Sequence, residues 1–226
     1  MKEAPLLLPE LHNFPAHVTY TWLAMAILIG LAILLRMSLK KTAPTGIQNF
    51  FETIVSGLET YIVENMGPDG RPFLSLIGTL FLFILTCNLL GLIPGFESPT
   101  ANLNTTLPLA LIAFTMTHVV GISRWKFKYI KHFLGPMWAA AWLLLPIELI
   151  SHLARIISLS FRLFGNMQAK HLLLLVLAIL MPYGLPVPIL GLGLLVAFVQ
   201  AGVFALLTML YIAGSIEAAH LGGDHH

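Results

Sequence analysis

Arg162 lies in SLSFRLFGNM, inside an apolar stretch that runs from Met137 to Met181. An arginine near the middle of a bilayer costs about 2.5–3.5 kcal/mol on insertion scales, and arginine cannot shed its charge by losing a proton. A permanent cation at that depth requires a buried carboxylate or water. No acidic residue lies within thirteen positions of it on either side, so the counter-charge is expected on another chain. At ~100° per residue, Glu148, His152, Arg155, Arg162, Asn166 and Lys170 fall within about ±40° of one line along a helix. Gln168 and His171 project from nearly the opposite side. A structural network would form one satisfied cluster, whereas two polar faces on one helix suit two water paths that do not join.

The elements that carry these residues belong to a membrane. Apolar residues make up 58% of the chain and charged residues 10%, against roughly 25% charged in soluble domains, and mean hydropathy is +0.88. A net charge of +2 is too small to point to nucleic acid. Lys2 is followed by Glu3, Pro5, Pro9 and Glu10, so no signal peptide is expected. Cys87, the single cysteine, leaves no internal disulfide to form.

The pattern predicts an all-α polytopic membrane protein. It has about five transmembrane helices, the last two forming a long, steeply tilted hairpin, plus one amphipathic surface helix. Within a single membrane domain over 1–226, the expected elements are a first span at 18–38, an amphipathic cytoplasmic helix at 46–66, a second span at 72–96 and a third at 102–123. A long tilted helix follows at 137–181, and a returning helix at 187–219. In the amphipathic segment, Ile54, Val55, Leu58 and Tyr61 recur at helical spacing opposite Glu52, Ser56 and Glu59. Residues 137–181 would extend ~68 Å as one helix, about twice the hydrocarbon thickness, and ordinary tilts do not absorb that excess. Arg36, Lys40 and Lys41 follow the first span, Arg71 precedes the second, and Arg124, Lys126, Lys128 and Lys131 follow the third. The positive-inside rule then puts the N-terminus outside and the C-terminus in the cytoplasm.

FRLFGNM, with Gln200 placed 34 positions after Asn166 in AFVQAGVFALLTMLY, resembles subunit a of the rotary F-type ATP synthases, bacterial type. NLLGLIPG, PTANLNTTLPLAL and NFFETIVSGLETYIVENMG are similar to segments of that family too, so the resemblance spans nearly the whole chain. It implies an ion-translocating stator subunit, with a proton as the expected ion. The subunit offers two half-channels to a ring of c subunits, with the matching arginine, here Arg162, between them. It implies the c-ring, the b subunits of the peripheral stalk and the remaining synthase subunits as partners, a bacterial plasma membrane as the location, and no catalytic residues, cofactor or metal. By the same matching, Asn166, His171 and Gln200 serve ion translocation, and Asn102, Glu148, His152, Arg155 and Gln168 are further polar candidates.

Two departures stand out. His171 occupies a position where many bacterial members carry a glutamate, and Gly193 occupies that of its usual histidine partner. Asn102 stands where the family often has an aspartate. The outer half-channel is therefore expected to be poor in carboxylates. Plainer readings apply to several of these residues: Gln200 as an inter-helix bridge, His118 and His152 as packed core rings, Asn88 as a packing hydrogen bond, Lys170 and Arg155 as snorkelling cations. A stand-alone transporter would need an internal counter-charge for Arg162. An intramembrane metalloprotease built from Glu148, His152, His12 and His17 lacks any H-E-x-x-H arrangement.

Overall fold

The computed structural model describes residues 15–38, 46–93, 96–125, 138–180 and 186–221. Lys40, Lys41, Lys126, Lys128, Lys131, His12 and most of the turn between the last two helices lie outside the described residues. The expected fold class is the one found, with helices as the only regular structure among the described residues. They are α1 (Ala16–Ser38), α2 (Gly46–Met66), α3 (Leu74–Leu90), α4 (Leu103–Trp125), α5 (Trp138–Leu180) and α6 (Pro186–Leu221). Among the described residues, four stretches are long and apolar enough to cross a membrane: Ala16–Met37, Gly70–Leu90, Leu103–Ser123 and Pro188–Ile216.

Local chemistry sets the breaks. Gly67, at φ 68° and ψ −170°, takes a conformation essentially restricted to glycine just past the end of α2, and Pro68 starts the short 3-10 turn that leads into α3. A second 3-10 turn, Pro99–Ala101, precedes α4. There Asn102 is extended, and its Oδ1 accepts the Asn104 N–H at 3.0 Å, a side-chain cap for one of the helix's free donors. Pro146 does not end α5, which runs 43 residues or ~65 Å at 1.5 Å per residue.

One core joins the four helices that frame Arg162. Leu80 and Ile84 of α3, Ala110 and Ala113 of α4, Leu159 and Leu163 of α5, and Ala201 and Phe204 of α6 pack together there. Lipid is as apolar as leucine, so close packing rather than water exclusion holds such helices, and the alanines at the crossings let the backbones approach. Outside the bundle, α1 leaves Ile29, Ile33 and Leu34 exposed, as a lipid-facing helix does. Its Ala24 packs on Cys87 and Leu90 of α3. The end of α2 docks through Ile62 against Ile77, Ala205 and Met209, while Val55 and Tyr61 of its apolar stripe stay exposed.

The polar line along α5 is not one uniform face. His152, Leu159, Leu163, Met167 and Lys170 form the buried seam, whereas Arg162 and Asn166 are exposed. Arg162 is turned about 80° from His152 and Lys170 at 100° per residue. The stripe therefore straddles the edge of the buried face, with one margin inside the bundle and the other outside.

Candidate functional site

Arg162 projects from the bundle among exposed apolar neighbours, Ile157 and Phe161 on the same helix. Its one described polar contact is donation from Nη2 to Ser158 Oγ at 3.5 Å, which is too long to be strong. The ion pair described is elsewhere, Arg71 Nε to Glu59 Oε1 at 3.2 Å, on the surface at the end of α2. Glu148, the nearest acid in sequence, starts 14 positions away, or ~21 Å along the helix. Its side chain lies outside the described residues. Among the described residues, then, no carboxylate meets this guanidinium.

Toward the C-terminus of α5, neutral amides and hydroxyls gather. One turn past Arg162, Asn166 Nδ2 donates to Gln200 Oε1 at 2.6 Å, tying α5 to α6. Gln200 is only 4% exposed, so the bond is screened from solvent on one side and open on the other. Two turns on, Lys170 is buried, with Nζ 3.5 Å from the carbonyl oxygen of Asn88. The Asn88 side chain is itself fully buried. It accepts from Thr100 Oγ1 at 2.7 Å and donates to the Ala197 carbonyl at 3.4 Å. Ser98 Oγ donates to the Cys87 carbonyl at 3.0 Å and lies 2.8 Å from Thr100 Oγ1. Gly91 admits this loop: a Cβ there would lie 2.4 Å from that of Ser98.

Gly193 is explained by the same cluster. A Cβ at this position would fall 2.8 Å from Leu92 Cδ2 and 3.1 Å from Lys170 Cδ. The position where the sequence lacks an acidic partner for His171 is bordered by the lysine stem and Leu92. Asn102, besides capping α4, places Nδ2 3.3 Å from Nδ1 of His17 on α1. His171 is exposed and Gln168 half-buried, and neither joins the Asn166–Gln200 bond.

Toward the N-terminus of α5 the chemistry changes. His152 is buried, its ring edge-on to His118 of α4 with centroids 4.8 Å apart, and Phe114 packs on both. Arg155, one turn on, sets its guanidinium 5.1 Å from the centre of the Tyr211 ring on α6. This is a cation–π contact rather than a snorkelling pose. These side chains line a pocket of about 10 Å³, just enough for the centre of one water. Between the pocket and Arg162, Ser160 Oγ meets Thr106 Oγ1 at 3.0 Å, both buried.

Sequence reasoning singled out Arg162, Asn166 and Gln200, and the structure brings the latter two together. It underrated Lys170 and Asn88. The signal for Lys170 was its i+8 spacing from Arg162 on the polar line. Nothing in the sequence joins Asn88 to it.

The family described as "ATP synthase A chain" matches residues 18–213. The chain is 52% identical to ATP synthase subunit a 1 of Syntrophotalea carbinolica over 211 residues, covering 93% of this chain and 90% of that one. It is 51% identical to ATP synthase subunit a of Trichlorobacter lovleyi over 203 residues, covering 90% and 88%. It is 49% identical to ATP synthase subunit a of Geobacter sulfurreducens over 203 residues, with the same shares of each chain.

Proposed function

This chain belongs to the ATP synthase A chain family, and on that premise we propose that Arg162 is the fixed charge past which a ring of c subunits carries its ions. The chain is a multi-pass membrane protein, the ion-translocating stator subunit of the F-type ATP synthase. The finer reading concerns which residues do the work and against what.

The observation that carries it is the exposed guanidinium on an apolar helix face, without a carboxylate among the described residues. A carboxyl group on a rotating partner supplies that counter-charge. Facing lipid, such a carboxyl must be neutral, because a bare ion there is too costly. Arriving at Arg162, it is stabilised as the anion and gives up its proton. It passes the arginine and is reloaded from the other side. Arg162 also blocks a direct leak, since a fixed positive charge repels a proton moving straight from one path to the other. The driving energy is ~2.3 kcal/mol per charge per 100 mV, plus the concentration gradient.

Asn166 and Gln200 form the polar lining beside Arg162 on the outer path, with His171 further out and Asn102 near the outer end of α4. Glu148, His152 and Arg155 lie on the cytoplasmic side of the arginine. Gln168 lines the outer path at its edge. The chain performs no ATP chemistry. Its partners are the c-ring, the b subunits of the peripheral stalk and the rest of the synthase. It sits in a bacterial plasma membrane with the N-terminus outside and the C-terminus in the cytoplasm, and its coupling ion is the proton.

Disulfide mapping tests the face. With Cys87 replaced by serine, single cysteines at Phe161, Arg162 and Asn166 should cross-link to a cysteine beside the c-subunit carboxyl. Ser160 and Met167, which are buried, should not. Cross-linking confined to the latter two would turn the helix by about 150°, nearly half a turn, and remove Arg162 from the ring.

A further inference from the structure

We propose that His118 and His152 form a proton relay on the N-terminal side of Arg162, a two-imidazole station between α4 and α5 that serves the path opposite to the Asn166–Gln200 side. The inference rests on the proton-translocating role given above and adds the residues that handle the proton on that path.

Three observations converge. The rings come from different helices and stand edge to face, 4.8 Å between centroids. They share a pocket with Thr117, Arg155 and Tyr211 that admits about one water. The tautomer of one ring is also set. His118 Nδ1 lies 3.0 Å from the Phe114 carbonyl oxygen, which can only accept, so Nδ1 carries the hydrogen of that bond. Imidazole is the side chain that can bind and release a proton near neutrality without leaving its place.

The step balances simply. A hydronium in the pocket gives its proton to the unprotonated nitrogen of one ring and becomes water, and the resulting imidazolium returns a proton through that water to the other ring. No net charge remains once the proton has left. A proton on both rings would set two cations beside the Arg155 guanidinium in a poorly solvated pocket, so Coulomb repulsion limits the pair to one proton at a time. The groups facing the pair are Arg155 on α5, Thr117 on α4 and Tyr211 on α6. From His152 to Arg162 the rise is ~15 Å, a distance bridged in part by the paired hydroxyls of Thr106 and Ser160.

The bland account is an aromatic cluster formed with Phe114, and chemical rescue separates the two. Whole synthase carrying His152→Ala is assayed in inverted membrane vesicles for ATP-driven acidification, alone and with added imidazole or pyrazole. The two additives have nearly the same shape, but only imidazole is a base near neutral pH. A relay gives at least a fivefold loss of pumping that imidazole restores to half or more and pyrazole does not. Equal rescue by both additives, no rescue in an assembled complex, or pumping within twofold of wild type would overturn the relay. If His152→Ala fails to retain the c-ring on purification, His152→Phe and His118→Phe keep the ring packing. These should assemble and still lose at least fivefold, and normal pumping by both overturns the relay. Arg162→Lys, run in parallel, tells the two failures apart. Pumping by that variant defeats the functional reading itself, whereas its loss alongside normal histidine variants defeats only the relay.

Discussion

The two polar regions that flank Arg162 on α5 are built from different chemistry. On the C-terminal side, Asn166, Gln200, Asn88, Thr100 and Ser98 are amides and hydroxyls joined by hydrogen bonds of 2.6–3.4 Å, with Lys170 as the one charge among them. On the N-terminal side, His118, His152, Phe114 and Tyr211 meet ring to ring, with Arg155 over Tyr211. The first kind of group positions water and cannot itself store a proton near neutrality, whereas the second can. If the proposed relay operates, the two paths differ in what carries the proton as well as in where they open. In the proposed reading Arg162 is the boundary; it is exposed together with Asn166, while His152 and Lys170, about 80° around the helix, lie inside.

The largest effect should come from removing that boundary. Arg162→Lys keeps the charge, but lysine is a compact ammonium that can lose its proton when desolvated, whereas a guanidinium is planar and does not. ATP-driven acidification of inverted vesicles should fall below about a tenth of wild type, a change of ~1.4 kcal/mol or more in a rate-limiting step. If the variant pumped normally, the contrast between two separated regions would lose its meaning, because nothing fixed would divide them.

Much of this was legible in the sequence and some was not, for definable reasons. The helical class follows from composition, and the singling out of Arg162 from a charge in apolar surroundings, both local properties. The polar line on α5 was also legible, since periodicity gives the relative angles of side chains. Periodicity does not give the absolute facing. That Lys170 and His152 lie inside while Arg162 lies outside depends on where Ala110, Ala113 and Ala201 let α4 and α6 approach. The tie between Lys170 and Gly193 was hidden for a similar reason. It is a steric fact between residues 23 positions apart on different helices, and a glycine read alone signals only a missing side chain.

That tie yields an intermediate effect. Gly193→Ala must displace Leu92 Cδ2 and Lys170 Cδ, at 2.8 and 3.1 Å; both belong to flexible side chains, so the cost falls at the low end of the ~1–3 kcal/mol typical of overpacking. The thermal midpoint of the purified complex should drop by a small but measurable amount. Lys170→Ala, added to it, should recover part of the loss by opening the same space, while Gly193→Glu should be worse than alanine. Additive losses in the double variant would show that the lysine stem does not border that position, and the C-terminal region would then be looser than the hydrogen-bond pattern implies.

The smallest effect should fall on His171, and its smallness is informative. This histidine is on the C-terminal side, where the other groups apart from Lys170 are amides and hydroxyls, yet it is exposed and outside the Asn166–Gln200 bond. A side chain that lines a wet path can be partly replaced by water, which forms hydrogen bonds nearly as good as a direct one. His171→Ala should therefore slow ATP-driven pumping by only roughly two- to threefold, with the complex intact. His152→Ala, in the pocket on the other side, should cost at least fivefold if imidazoles carry the proton there. The comparison is between two histidines 19 positions apart on one helix, assayed in the same vesicles, so differences in assembly are controlled by the amount of c-ring retained. If His171→Ala were as damaging as His152→Ala, the C-terminal path would also depend on a titrating ring. The two regions would then share one chemistry, and the amides would be scaffolding around it.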